Sequence, residues 1–335
     1  MAHPGPQYSV ADVHAGWVEA LRAADNPVLE YNLHDRIAFY DGSLLEVSEG
    51  KFKKALTADQ AIELAVNGLY SVLYRTHPDV LLVISGFLIP NDLLELARRR
   101  GTKVVVIHTE SPYEDERQIE QAHHADLNLI NDPTNLARFP ANTLYIPHAY
   151  RTRVHHPGPP DYDLTCDFAF VGTAFESRIR LFEALDLDGL TVKLAGNWTQ
   201  LSDGSHLRKY IATDPKDCLD NTEAVRLYRS AKVGLNYYRR EGDDGDDYAG
   251  WAMGPREVEM AACGLFFLRD PRPEGDELFP MLPTFQSPAE ASSLIRWWRD
   301  HEDQREMAAK AAMEAIADRT FENNVRALLG HLERN

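Results

Sequence analysis

Residues 250–270 read GWAMGPREVEMAACGLFFLRD. Gly254 suits a helix N-cap, and Pro255 suits the first helical position, where its missing N–H is no loss and its φ is already set. Gly264 fits the position after a helix end, where left-handed backbone is common. The spacing therefore predicts a helix over 255–263, about two and a half turns long. The run LFFL follows at once, and a continuous apolar run reads as a strand buried on both faces. Ala261, Ala262 and Cys263 are small enough for the helix to pack closely on that strand.

The same unit recurs along the chain. Strands are predicted at PVLEYNL (27–33), DVLLVISG (79–86), TKVVVIHT (102–109), LNLIND (127–132) and TLYIPHA (143–149). A second series comprises DFAFVGT (167–173), LTVKLAG (190–196), AKVGLNYY (231–238) and GLFFLRD (264–270). TADQ (57–60), SPYE (111–114) and SPAE (287–290) have the form of a capping box at a helix start. Strands alternating with helices predict an α/β fold of doubly wound parallel sheets with right-handed crossovers.

The segment RTRVHHPGPPDYDLTCD (151–167) breaks both periodicities and marks a boundary. Two tandem Rossmann-like domains are expected, 1–150 and 151–335. Sheets of this kind bind ligands beyond the carboxyl ends of their strands, so an inter-domain cleft is the expected site. Only MAHPGPQ precedes the helical pattern from Tyr8, which leaves the first strand short or missing. The helical stretch 288–335 is expected to cover the second sheet, with its tail (about 320–335) packing on the first domain.

The 335 residues are 44% apolar and carry a formal charge of −17, which disfavours a broad basic face for nucleic acid. The apolar run VLLVISGFLIP (80–90) is shorter than the roughly 20 residues a membrane span needs. The N-terminus lacks the pattern of a secretory leader, and Cys166, Cys218 and Cys263 have neither disulfide-framework nor zinc spacing. A cytoplasmic setting is expected. The acidic loop 240–251, with Asp243, Asp244, Asp246 and Asp247, departs from the spacing of a calcium loop and reads as solvated, so no metal site is assigned.

Several residues stand where ligands of such sheets bind. Gly172 and Thr173 end a strand just before a helix carrying Arg178, a turn that brings N–H groups and a guanidinium towards phosphate; an ordinary turn with a surface Arg reads equally well. Asn197 and Trp198 follow another strand, where they could meet a base edge and face, or pack over the sheet rim. Arg256 sits where a phosphate would meet the helix start, and Glu259 shares its face, placed to accept from ribose hydroxyls or to form a surface ion pair. His108 and Glu110 end a strand of the first domain and are candidate bases, with local hydrogen bonding the competing reading. His148 ends another.

Taken together, HTESPYEDERQ, NDPTNLARF, YIPHAYRTRVHHPG, DFAFVGTAFESR, AKVGLNYYRRE and GPREVEMAACGLFFLRD resemble the CgeB-like (spore maturation protein) branch of the GT-B glycosyltransferases, from about residue 8 onward. The resemblance implies a nucleotide-diphosphate sugar donor held by the second domain, an acceptor on the first, and no separate cofactor. It matches Glu259 to a ribose-binding Glu, Gly254, Pro255 and Arg256 to the segment facing diphosphate and sugar, and Gly172, Thr173 and Arg178 to the phosphate loop. Trp251 stands where retaining relatives often carry a second Glu, so the resemblance implies no stereochemical outcome. The acceptor hydroxyl is left open among protein, glycan, metabolite and modified base. A sugar-nucleotide epimerase of the same fold and a non-catalytic nucleotide-sugar-binding protein are the competing functions. Glu259→Ala is expected to weaken donor binding without unfolding the chain.

Overall fold

The computed structural model describes residues 1–3, 8–110, 114–216, 219–241 and 250–334. Two expectations fall outside them: the acidic cluster at 243–247 and the Ser111 cap of the SPYE motif. The chain divides into two compact units, Met1–Ile146 and Pro147–Asn335.

The first unit contains β1 (Ala2–His3), α1 (Tyr8–Ala23), β2 (Tyr31–Asn32), α2 (Leu33–Asp41), β3 (Leu44–Ser48), β4 (Lys51–Lys54), α3 (Ala58–Thr76), β5 (Val80–Ile84), α4 (Asn91–Arg99), β6 (Lys103–His108), α5 (Asp115–Ala122), β7 (Leu127–Ile130) and β8 (Thr143–Tyr145). Six of its strands form one parallel sheet in the order β2-β1-β5-β6-β7-β8. β1 is only two residues long yet lies inside the sheet, between β2 and β5. The strand expected at 27–33 shrinks to Tyr31–Asn32, because Asn32 caps α2 by accepting from the Asp35 N–H at 3.2 Å. Thr57 and Gln60 form the reciprocal capping box that starts α3.

The antiparallel pair β3–β4 is not anticipated by the strand pattern of the sequence. Its residues are exposed throughout, including Leu44, Leu45, Val47 and Phe52, so no buried face imposed a legible period. β4 carries Lys51, Lys53 and Lys54, and lysine on an edge strand discourages further pairing.

The second unit contains β9 (Cys166–Val171), α6 (Glu176–Ala184), β10 (Val192–Ala195), α7 (Asn221–Ser230), β11 (Ala231–Asn236), α8 (Pro255–Ala262), β12 (Phe267–Arg269), α9 (Pro273–Leu278), α10 (Pro288–Asp300), α11 (Glu302–Ala315) and α12 (Phe321–Leu332). Its sheet is parallel in the order β10-β9-β11-β12. The chain runs outward from β9 to β10 and then returns to β11 on the other side. Ligands of open α/β sheets favour such a reversal point. Phe168, Leu194, Val233, Leu235, Phe267 and Leu268 fill the core of this sheet.

Ser287 caps α10 by accepting from the Glu290 N–H at 3.2 Å, but Glu290 reaches back to the Gln286 N–H, one residue beyond a capping box. The linker expected at 151–167 lies inside the second unit, and so does α12. Tyr150 and α12 are joined by backbone bonds from the Tyr150 N–H to Arg319 O (2.9 Å) and from the Phe321 N–H to Tyr150 O (3.4 Å).

Candidate functional site

At the reversal point of the second sheet, the loops after β9, β10 and β11 meet. Gly196 has φ +108°, and a Cβ there would lie 2.6 Å from Gly172 O, so two backbones touch where only glycine fits. The Ala174 N–H donates to Asn197 O at 2.8 Å. The Asn197 side chain turns to its own loop, accepting from Thr199 N and Oγ1 at 3.1 and 2.7 Å. Arg178 donates from Nε to Tyr237 O (2.8 Å) and from Nη1 to Thr173 O (2.9 Å), tying the Gly172–Thr173 turn to the end of β11. Glu241 accepts from Ser177 N (2.6 Å), Ser177 Oγ (3.0 Å) and Arg240 N (3.1 Å), so its carboxylate caps the start of α6. Those backbone and hydroxyl donors outweigh partial burial and hold the Glu241 carboxyl below its ordinary range.

Trp198 is a correction. It is 1% exposed and lies edge-on to Phe170 and Phe182, with ring centroids 6.1 and 5.6 Å away. An indole enclosed this way offers no face to a base, so Trp198 is a core residue.

The helix predicted at 255–263 is α8, with Gly254 as its N-cap and Gly264 at φ +76° beyond its end. Glu257, at the third helical position, returns Oε2 to the Gly254 N–H at 2.8 Å. The same oxygen accepts from Tyr238 Oη. Glu257 is fully buried; desolvation raises its pKa to about 7 against those bonds and the Arg269 charge. Burial and the Glu257 charge push the Tyr238 phenol well above its ordinary value. Beside it, Asp270 takes two 2.8 Å bonds from Arg240 Nη2, and burial raises the Asp270 carboxyl.

Arg256 and Glu259 do form a pair, from Nη1 to Oε2 at 2.8 Å, but it is not a surface pair: Glu259 is 4% exposed. Asn221 bridges it, donating from Nδ2 to Glu259 Oε1 at 3.0 Å and accepting at Oδ1 from Arg256 Nη1 at 2.8 Å. His155 Nε2 lies 3.2 Å from Asn221 Nδ2, and Tyr228 Oη accepts from Arg256 at 3.4 Å. His155, Asn221 and Tyr228 carry no local sequence signal of this cluster, since their segments are far apart in the chain. His155 in particular reads as linker and is 1% exposed. The Pro-Gly run after it was the one hint of a fixed turn.

In the first unit, His108 and Glu110 part company. His108 is fully buried against Phe139, and its Nε2 lies 2.9 Å from Asn128 Oδ1. Burial lowers its pKa to about 4, against the Asn128 bond. A ring with no solvent face cannot take a proton from an acceptor, which removes His108 from the candidate bases. Glu110 is half-buried; its N–H donates to Gln118 Oε1 at 3.0 Å.

These two buried groups titrate with opposite consequences. His108, depressed from 6.5 to about 4, contributes stability that is complete above pH 6.5 and lost as the pH falls towards 4, about 3 kcal/mol at most. Glu257, raised from 4.5 to about 7, contributes stability that is complete below pH 4.5 and lost as the pH rises through 7. Between pH 7 and 5, hydrogen exchange is expected to accelerate at β6 and slow at α8, after correction for intrinsic rates. Equal slopes in both units would contradict this, and His108→Gln is expected to flatten the first.

Residues 178–330 match a family model described as glycosyl transferase-like. No curated protein matches the sequence. Among solved structures, the chain resembles the trehalose-6-phosphate synthase OtsA (TM-score 0.67, 13% identity, 100% of this chain and 98% of that one). It also resembles a protein described as a UDP-N-acetylglucosamine 2-epimerase from Listeria monocytogenes (TM-score 0.61, 13% identity, 100% and 96%). A third is HepE from Anabaena, solved in complex with UDP-glucose (TM-score 0.55, 10% identity, 94% and 88%). The fold is therefore that of the GT-B glycosyltransferases, with two Rossmann-like units built on parallel sheets.

Proposed function

We propose that the protein is a glycosyltransferase that moves a sugar from a nucleotide-diphosphate donor to an acceptor hydroxyl, within or near the CgeB-like branch. The observation that carries this reading is the buried Glu259 on α8, a helix whose start at Gly254 donates to Tyr238 Oη, just beyond the carboxyl end of β11. The match of residues 178–330 to the glycosyl transferase-like family supports it. In this reading Glu259 accepts from the ribose hydroxyls, and the start of α8 meets the diphosphate. Arg178, fixed beside Gly172 and Thr173, adds positive charge as the nucleoside diphosphate departs. Arg256 steadies Glu259. Glu110 is the base for the acceptor hydroxyl if the anomeric centre inverts. The donor's charge is met by helix ends and guanidinium groups, without a metal, and the setting is cytoplasmic.

The test is release of nucleoside diphosphate from UDP-glucose and other common sugar nucleotides by the purified protein, with an acceptor-rich extract present. No release with any donor would overturn the proposal. The likeness to the Listeria protein supports an epimerase as the second reading, and conversion of UDP-N-acetylglucosamine without any acceptor would favour it. Donor binding with neither reaction would leave a binding protein.

A further inference from the structure

Resting on the donor reading above, we propose that Asn221 is a positioning residue that sets the ribose-binding carboxylate of Glu259. Asn221 opens α7, where the Asp220 carboxylate caps the helix by accepting from Thr222 N and Glu223 N at 2.8 and 3.0 Å. That cap fixes the backbone from which Asn221 projects. Its side chain closes a ring of three hydrogen bonds with the ion pair on α8: Asn221 Nδ2 to Glu259 Oε1, Arg256 Nη1 to Glu259 Oε2, and Arg256 Nη1 to Asn221 Oδ1.

An amide suits this place because it donates to a carboxylate and accepts from a guanidinium with one planar group. Each oxygen of Glu259 thereby receives one side-chain bond from a different partner, and the carboxylate plane is fixed. Each oxygen retains acceptor capacity, which is what a vicinal diol needs. Asn221 is 6% exposed and Glu259 4%, so rotation of either would break buried bonds. Arg256 alone would hold only Oε2 and leave the carboxylate free to turn about that contact.

The experiment is a double-mutant cycle on the full chain, reading UDP affinity by calorimetry and melting temperature in parallel. Asn221→Asp keeps the shape and the acceptor towards Arg256. It replaces the donor to Glu259 with a second negative charge, at a helix start that tolerates one. We expect Asn221→Asp and Glu259→Gln each to weaken UDP binding about tenfold or more, and the double variant to be little worse than the weaker single one. The UDP-glucose KM should rise with kcat nearly unchanged. A merely structural role would lower the melting temperature and the active fraction while leaving KM alone. Wild-type affinity in Asn221→Asp, or independent multiplying effects in the double variant, would overturn the assignment alone. A wild-type protein that binds no UDP, and no other nucleoside diphosphate, would overturn the donor reading and this assignment with it.

Discussion

Glu259→Ala is expected to lower the unfolding free energy by about 2 kcal/mol, because Arg256 and Asn221 both lose a buried charged acceptor while Arg256 keeps its bonds to Asn221 and Tyr228. Arg256 Nη1 would lose its 2.8 Å contact, and Asn221 Nδ2 its 3.0 Å acceptor. If Glu259 holds the donor ribose as proposed, the substitution is expected to weaken nucleoside diphosphate binding at least tenfold, a change of about 1.4 kcal/mol. Urea unfolding and calorimetry with UDP measure the two effects separately. A loss of this size narrows the stability margin and leaves the chain folded, as expected from the sequence. Glu259→Gln keeps the side-chain volume and one carbonyl acceptor, so it isolates the binding effect better. Unchanged UDP affinity in both variants would return α8 to the scaffold.

Trp198→Ala is expected to cost more, about 3–5 kcal/mol, the usual range for emptying a buried aromatic site. The indole is 1% exposed, touches Phe170 and Phe182, and donates from Nε1 to Ala195 O at 3.3 Å. Trp198→Phe removes the donor and part of the volume and should cost roughly 1–2 kcal/mol on the same grounds. Because Trp198 is core rather than a stacking platform, the Phe variant should bind UDP with wild-type affinity. A marked loss of affinity with stability intact would restore the stacking role.

The strands of both parallel sheets were legible because burial on both faces writes a continuous apolar run. Their ends were not. Asn236 closes β11, although the apolar run extends to Tyr238, because pairing with β12 stops at Asn236 and Arg269. β1 was barely legible, since two residues held between neighbours need no pattern of their own. The start and end of α8 were readable from Gly254, Pro255 and Gly264. The burial of its charges was not. Glu257 and Glu259 look alike in sequence, yet one holds Gly254 and Tyr238 while the other meets Asn221 and Arg256. His108 looked like a base because it ends a strand, but Phe139 and Asn128 close over it. Such partners come from tertiary contact and leave no local trace.

The bonds between Tyr150 and α12 have a mechanical consequence. The entry segment 147–152 of the second unit is bonded to the start of α12. Thr152 Oγ1 donates to Glu322 Oε1 at 2.8 Å, and Asn324 Nδ2 to Pro147 O at 3.0 Å, although the first of these pairs is 170 residues apart. Tension applied through residue 147 and the C-terminal end of α12 would be borne first by this clasp, before the sheet of β9–β12 is loaded.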